Sequence, residues 1–162
     1  MALGTGNRVL PALSLLAALM LAAAPVPGWF AAFRPEWVPV VLLFWSLVAP
    51  ARFGMLTAVG MGLALDVLTG ALLGQHALAL LVVVYLCQRF QPRIRVIPLA
   101  QLTLMIVMLL ALYEFVLFWV DGIADRTVPF VERWAPILSS TLVWLLALAV
   151  LDRWRRVAHA RI

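Results

Sequence analysis

The 162-residue chain is 66% hydrophobic and 12% charged, with a mean hydropathy of +1.10, whereas a soluble domain carries about a quarter charged residues. That composition excludes a soluble globular domain, and the single cysteine, Cys87, excludes an intrachain disulfide. Twelve basic residues, all Arg, against seven acids give a net charge of +5; beside apolar segments such a surplus sets topology and meets anionic headgroups, and nucleic acid is not expected.

The apolar runs are continuous, which predicts membrane helices rather than the alternating strands of a barrel. The first span covers about 9–24. It follows Arg8 and is expected to be a retained anchor, because Pro25 after the small residues Ala22 to Ala24 is a poor cleavage context. The second covers 37–49, the third 53–73 and the fourth 77–88. The second and fourth fall short of the roughly 17 to 25 residues a span needs, so they must borrow flanking residues, thin the bilayer or be shielded by neighbours. Pro92 is expected to end the fourth span within the elbow RFQPRIRVIP, Arg89 to Pro98. The fifth covers 96–120 and the sixth 134–151. Between them lies a polar loop, 121–133, carrying Asp121, Asp125, Arg126, Glu132 and Arg133 and flanked by Trp119 and Trp134. The expected fold is one all-α integral membrane domain, 1–162, a compact bundle of about six transmembrane helices.

With both termini cytoplasmic, nine Arg fall in cytoplasmic segments and three, Arg34, Arg126 and Arg133, fall outside. The 121–133 loop then faces outward, and Trp29, Trp37, Trp119 and Trp134 fall at outer ends, where indoles prefer to sit. Arg89, Arg93 and Arg95 form one cytoplasmic basic patch and Arg153, Arg155 and Arg156 a second, both expected to meet anionic lipids.

The third span carries Gly54, Ala58, Gly62, Asp66, Gly70 and Gly74 at every fourth position. Four residues turn a helix by about 400°, so this small-residue face drifts slowly and suits an oblique close crossing. It reads as an internal packing face, a docking face for a foreign helix, or the lining of a small cavity. A carboxylate within a span costs about 2.5 to 3.5 kcal/mol on insertion scales, so Asp66 needs a partner or water. Arg34, Thr69 and Glu114 are placed to form a polar cluster with it in the outer half; the alternative is separate snorkelling of each toward water. A catalytic pair of Asp66 and Glu114 is disfavoured, since no span contains a His and no nucleophile elbow or zinc spacing is present. No catalytic residue, cofactor or metal site is assigned.

The segments FRPEW, Phe33 to Trp37, and GLALDVLTGALLG, Gly62 to Gly74, resemble the rod-shape-determining MreD family, and the likeness extends over the chain. The matching positions are Arg34, Pro35, Trp37, Gly62, Asp66, Gly70 and Gly74; Ala71 and Thr69 are mild departures. The resemblance implies a non-enzymatic component of the bacterial cell-elongation machinery in the inner membrane, bound to MreC and associated with RodA, its penicillin-binding transpeptidase and MreB. It also implies a six-helix fold similar to the substrate-binding subunit of energy-coupling-factor transporters. The alternative function is a membrane-embedded small-molecule or lipid-binding transporter subunit, which the scarcity of intramembrane polar residues beyond Asp66, Thr69, Glu114 and Gln101 opposes.

Overall fold

The computed structural model describes residues 9–94 and 98–159. Its helices are α1 (Val9–Ala23), α2 (Gly28–Ala31, one turn), α3 (Trp37–Val48), α4 (Met55–Thr69), α5 (Gln75–Ile94), α6 (Leu99–Ile123) and α7 (Phe130–His159), with no strand among the described residues. Leaving the single turn α2 aside, six helices run alternately up and down. The ends of α1, α4 and α6 thus meet the beginnings of α3, α5 and α7 at one end of the bundle. Six of the seven acids, Glu36, Asp66, Glu114, Asp121, Asp125 and Glu132, belong to that end, while Arg52, Arg89 and Arg93 belong to the other.

The middle of the bundle is made by α3 and α5. α3 packs on α1, α5, α6 and α7, and α5 packs on α3, α4 and α6. Leu42, Leu43, Leu80, Val83, Ile106, Leu110, Tyr113 and Trp144 form the buried centre. The outward faces are apolar too, with Leu104, Met108 and Phe118 exposed on α6 and Leu138, Leu142 and Leu146 exposed on α7. A helix that is apolar all round suits an apolar solvent as well as an apolar core. α6, and α7 over Phe130–Ala149, are long and apolar enough to cross a membrane. The twelve residues of α3 reach only about 18 Å, short of a hydrocarbon core of about 30 Å.

Several expected boundaries move. The fourth helix is not the short piece 77–88: α5 starts at Gln75 and runs through Pro92 to Ile94. A proline in the last turn forfeits only one backbone bond near an end that is already short of partners, so it need not terminate the helix. α7 begins at Phe130, four residues before the expected start, and the third helix stops at Thr69 instead of 73. Gly70 (φ 66°) ends it in the left-handed conformation that glycine adopts without penalty, and the N–H groups of Gly70 and Ala71 close back on the Asp66 carbonyl. Gly74 (φ 97°) is left-handed as well. These two glycines shape a turn, and a Cβ at either would meet nothing within 4 Å; the expectation that they extend the packing face is corrected accordingly.

The rest of the stripe does pack, and its partner is internal. Ala58, Gly62 and Asp66 are buried on α4 and face α5. At Gly62 the approach is closest: a Cβ there would stand 2.8 Å from the His76 carbonyl carbon and nearer still to the backbone of Ala77. A Cβ at Gly54 would lie 3.5 Å from the Gln88 side chain, whose Nε2 donates to the carbonyls of Pro50 (3.0 Å) and Phe53 (3.2 Å) and ties down the loop before α4. Backbone cannot retreat as a side chain can. Gly62→Ala is therefore expected to destabilise the protein by roughly 1 to 3 kcal/mol through overpacking, while Gly60→Ala, with open space around it, should gain up to about 1 kcal/mol from helix propensity. Thermal unfolding in detergent of both variants checks the pair of signs.

Candidate functional site

The polar end of the bundle is organised by the α4–α5 turn. Asp66, 1% exposed, sits in the last turn of α4. Its Oδ2 accepts the Gly74 N–H at 2.8 Å, and its Oδ1 accepts the His76 N–H at 2.9 Å and contacts His76 Nδ1 at 2.7 Å. A helix start leaves N–H groups unpaired and carries positive partial charge, so a carboxylate there satisfies both needs. Asp66 is thus a cap supplied from the preceding helix. His76, facing the carboxylate with Nδ1, completes the pair and lies 6.3 Å, ring to ring, from Tyr113.

A second group joins α5, α6 and α7. Gln75 Nε2 donates to Asp121 Oδ1 at 2.9 Å, and Arg133 donates through Nη2 to Asp121 Oδ2. Arg133 Nη1 stands 3.6 Å from Glu114 Oε2. All four residues are buried. Charges in a low-dielectric interior attract strongly but are costly to leave unmatched, which is why the α6–α7 connection is drawn inward onto the bundle. A third tie runs from the Glu36 N–H to Ser140 Oγ at 2.8 Å and holds the start of α3 against α7. Burial pushes the Glu36 carboxyl above its ordinary value, opposed by the charges of His76, Arg34 and Arg133.

These groups border a cleft of about 330 Å³ lined by Glu36, Gln75, His76, Glu114, Asp121 and Arg133, with Arg126 and Glu132 at its rim. Among the described residues no three His, Cys, Asp or Glu side chains are grouped to hold a metal ion.

The expected polar cluster is only partly assembled. Arg34 does not reach the carboxylates; its Nη2 donates to the carbonyls of Leu21 (2.8 Å) and Ala22, capping the end of α1, where a cation suits the helix dipole. Thr69 returns its hydroxyl to the Leu65 carbonyl at 2.8 Å instead of serving Asp66. Glu114 pairs with Arg133, not with Asp66 or Arg34. Asp121 and Arg133, expected in a solvated loop, are buried helical residues, because their mutual pairing permits α6 and α7 to extend inward on both sides. The loop shortens to 124–129, with Asp125 and Arg126 exposed on it and Glu132 exposed on the first turn of α7. Arg89 is exposed on α5; Arg95 and the side chains of Arg93, Arg153, Arg155 and Arg156 lie outside the described residues. Sequence reasoning missed Glu36, Gln75, His76 and Tyr113. The available signal was the run Thr-Gly-Ala-Leu-Leu-Gly-Gln-His, in which two glycines punctuate a stop and a restart and place an Asp just before a new helix start.

Removing Arg133 leaves two carboxylates buried without a cation. Arg133→Leu is expected to cost roughly 3 to 5 kcal/mol, and adding Asp121→Asn, which discharges one acid, should recover a measurable part of that loss. A double-mutant cycle by thermal denaturation in detergent reads the coupling; additive effects would exclude it. Asp66→Ala should cost about 1 to 2 kcal/mol by leaving two part-buried N–H groups without their acceptor.

Comparison with known proteins finds matches over most of the chain. A family model described as rod shape-determining protein MreD matches residues 5–156. A curated relative, the "Rod shape-determining protein MreD" of Haemophilus influenzae, is 29% identical over 142 residues, which cover 86% of this chain and 86% of the relative. No solved structure matches.

Proposed function

The chain belongs to the rod shape-determining protein MreD family, and from that membership we propose that it is a non-enzymatic inner-membrane component of the cell-elongation machinery that acts by binding MreC. The observation that carries this reading is the family match over nearly the full length, which includes both FRPEW and the Asp66 turn. Through MreC the protein helps organise the lateral-wall synthase, RodA with its penicillin-binding transpeptidase, and the actin-like MreB.

In this reading all six long helices lie in the bilayer and both termini are cytoplasmic. The acid-rich end faces outward and the Arg-rich end meets anionic headgroups, as the positive-inside rule requires. The short α3 is accommodated because its neighbours shield it and the bilayer thins locally. The surface offered to MreC is the outer rim of the bundle: Asp125, Arg126 and Glu132, exposed around the 124–129 loop, with Phe130 and Trp119 exposed beside them. Charge steers such an encounter and aromatic residues anchor it. The energy-coupling-factor likeness belongs to this proposal as a fold analogy only.

Replacing Asp125, Arg126 and Glu132 together by Ser is expected to reduce co-purification of MreC by roughly tenfold at low salt while leaving the protein's own melting temperature unchanged, since charged rims mainly govern association. Undiminished co-purification would remove the rim from the interface. For orientation, alkaline phosphatase fused within 124–129 should be active and the same enzyme fused after Ile162 inactive; the opposite pattern inverts the topology.

A further inference from the structure

The cleft at the polar end is electrically unfinished. Its lining holds four carboxylates, Glu36, Glu114, Asp121 and Glu132, against two guanidiniums, Arg126 and Arg133. Asp121 is fully engaged by Gln75 and Arg133. Glu114, however, gives Arg133 only Oε2; its Oε1 is buried without a donor, as is Oε1 of Gln75, on residues 3% and 6% exposed. No ion pair among the described residues engages the Glu36 carboxylate. The hydroxyl of Tyr113, next to Glu114 in the chain, can both donate and accept and so does not by itself add to the surplus. The cleft thus gathers more acid groups than guanidiniums and leaves buried oxygens without donors, in a space open to the rim. Arg133 Nε is an unpartnered donor there, but one N–H cannot serve several acceptors. Water could occupy the cleft and bridge some of them, yet water does not cancel the charge.

We propose that this cleft is a receptor for one guanidinium group, the side chain of an Arg presented by the protein that docks on this end of the bundle. The choice of guanidinium over ammonium follows from the setting. A planar fork with five N–H donors can serve Glu36, Glu114 and Gln75 together and keeps its charge in a low-dielectric site, whereas a Lys ammonium is readily deprotonated when buried. Bidentate carboxylate pairing adds orientation to charge. A volume of about 330 Å³ admits a side chain and stands at the low end for a complete small-molecule ligand. The identity of the occupant as a protein side chain rests on the partner-binding reading above; the guanidinium chemistry rests on the cleft alone.

The test uses the full chain in detergent, titrated with acetyl-Ala-Arg-Ala-amide and with the same peptide carrying citrulline, which keeps the shape and removes the charge. The Arg peptide should bind saturably and raise the melting temperature; the citrulline peptide should bind roughly tenfold or more weakly, about the loss expected when a charge-assisted pair becomes neutral. Glu36→Gln and Glu114→Gln should each weaken the Arg peptide toward the citrulline value. Should either variant not fold, the comparison of the two peptides on the unaltered protein still decides. Equal binding of both peptides, or saturable binding of neither, overturns the proposal. So does retention of phosphatidylethanolamine that the Arg peptide cannot displace, since that assigns the cleft to a lipid amine. If MreC co-purifies but the Arg peptide does not bind, the guanidinium site alone falls. If the Arg peptide binds and MreC does not co-purify, the site stands and only the named partner is lost.

Discussion

The bundle depends on one carboxylate placed at the start of a helix that is not its own. Asp66 ends α4 and caps α5, so a single side chain fixes the turn between them, the registry of the two helices and the position of everything borne on the first turn of α5. Gln75 and His76 are held because Gly74 is held, and Gln75 in turn secures Asp121 on α6. The close approach at Gly62 belongs to the same arrangement, since the backbone it meets is that of His76 and Ala77. A substitution that loosens the turn therefore reaches three helices.

Electrostatics explain why this end is built inward. An ion pair exposed to water is worth little, and many contribute nothing measurable. Here Arg133, Asp121 and Glu114 are withdrawn from solvent, where removing Arg133 strands both acids. The connection between α6 and α7 is accordingly short and ordered around a buried charge set. Arg34 plays a comparable part on the other side, spending its guanidinium on the carbonyls that α1 leaves open. Two arginines counted alike under a topology rule thus do different jobs, one ending a helix and one neutralising acids.

What the sequence disclosed follows from the reach of each physical rule. Continuous apolar runs and their polar breaks identify the long helices, because bilayer thickness and helix rise are fixed, and Leu99–Ile123 lies close to its expected bounds. The small face of α4 was legible through Gly62, whose spacing with Ala58 and Asp66 marks a close crossing. The same periodicity misled at Gly70 and Gly74. A period-four pattern carries no mark that distinguishes packing glycines from turn glycines; positive φ does that, and it is a property of the folded backbone. The partner of Asp66 was illegible for a related reason. Cluster arguments weigh charged side chains against one another, while Asp66 is answered chiefly by backbone N–H groups that every sequence possesses. His76 offered no zinc spacing and fell outside the expected spans, and only the reversal of the chain brings it to Asp66, ten residues away.

The α4–α5 hairpin also bears on how the two halves of the bundle depend on each other. Asp66, buried, and His76, half-buried, are answered within the hairpin, by each other and by its own turn. Its two helices are closest where Gly62 lies against the backbone of Ala77. The hairpin is not closed in every respect, since Gln75 on its second helix finds its partner, Asp121, only on α6. The α6–α7 hairpin is likewise incomplete, because Asp121 pairs with Gln75 from the earlier hairpin as well as Arg133 from its own. The two hairpins are thereby interlocked, because a hydrogen-bond donor on the first meets an acceptor on the second that also pairs with Arg133.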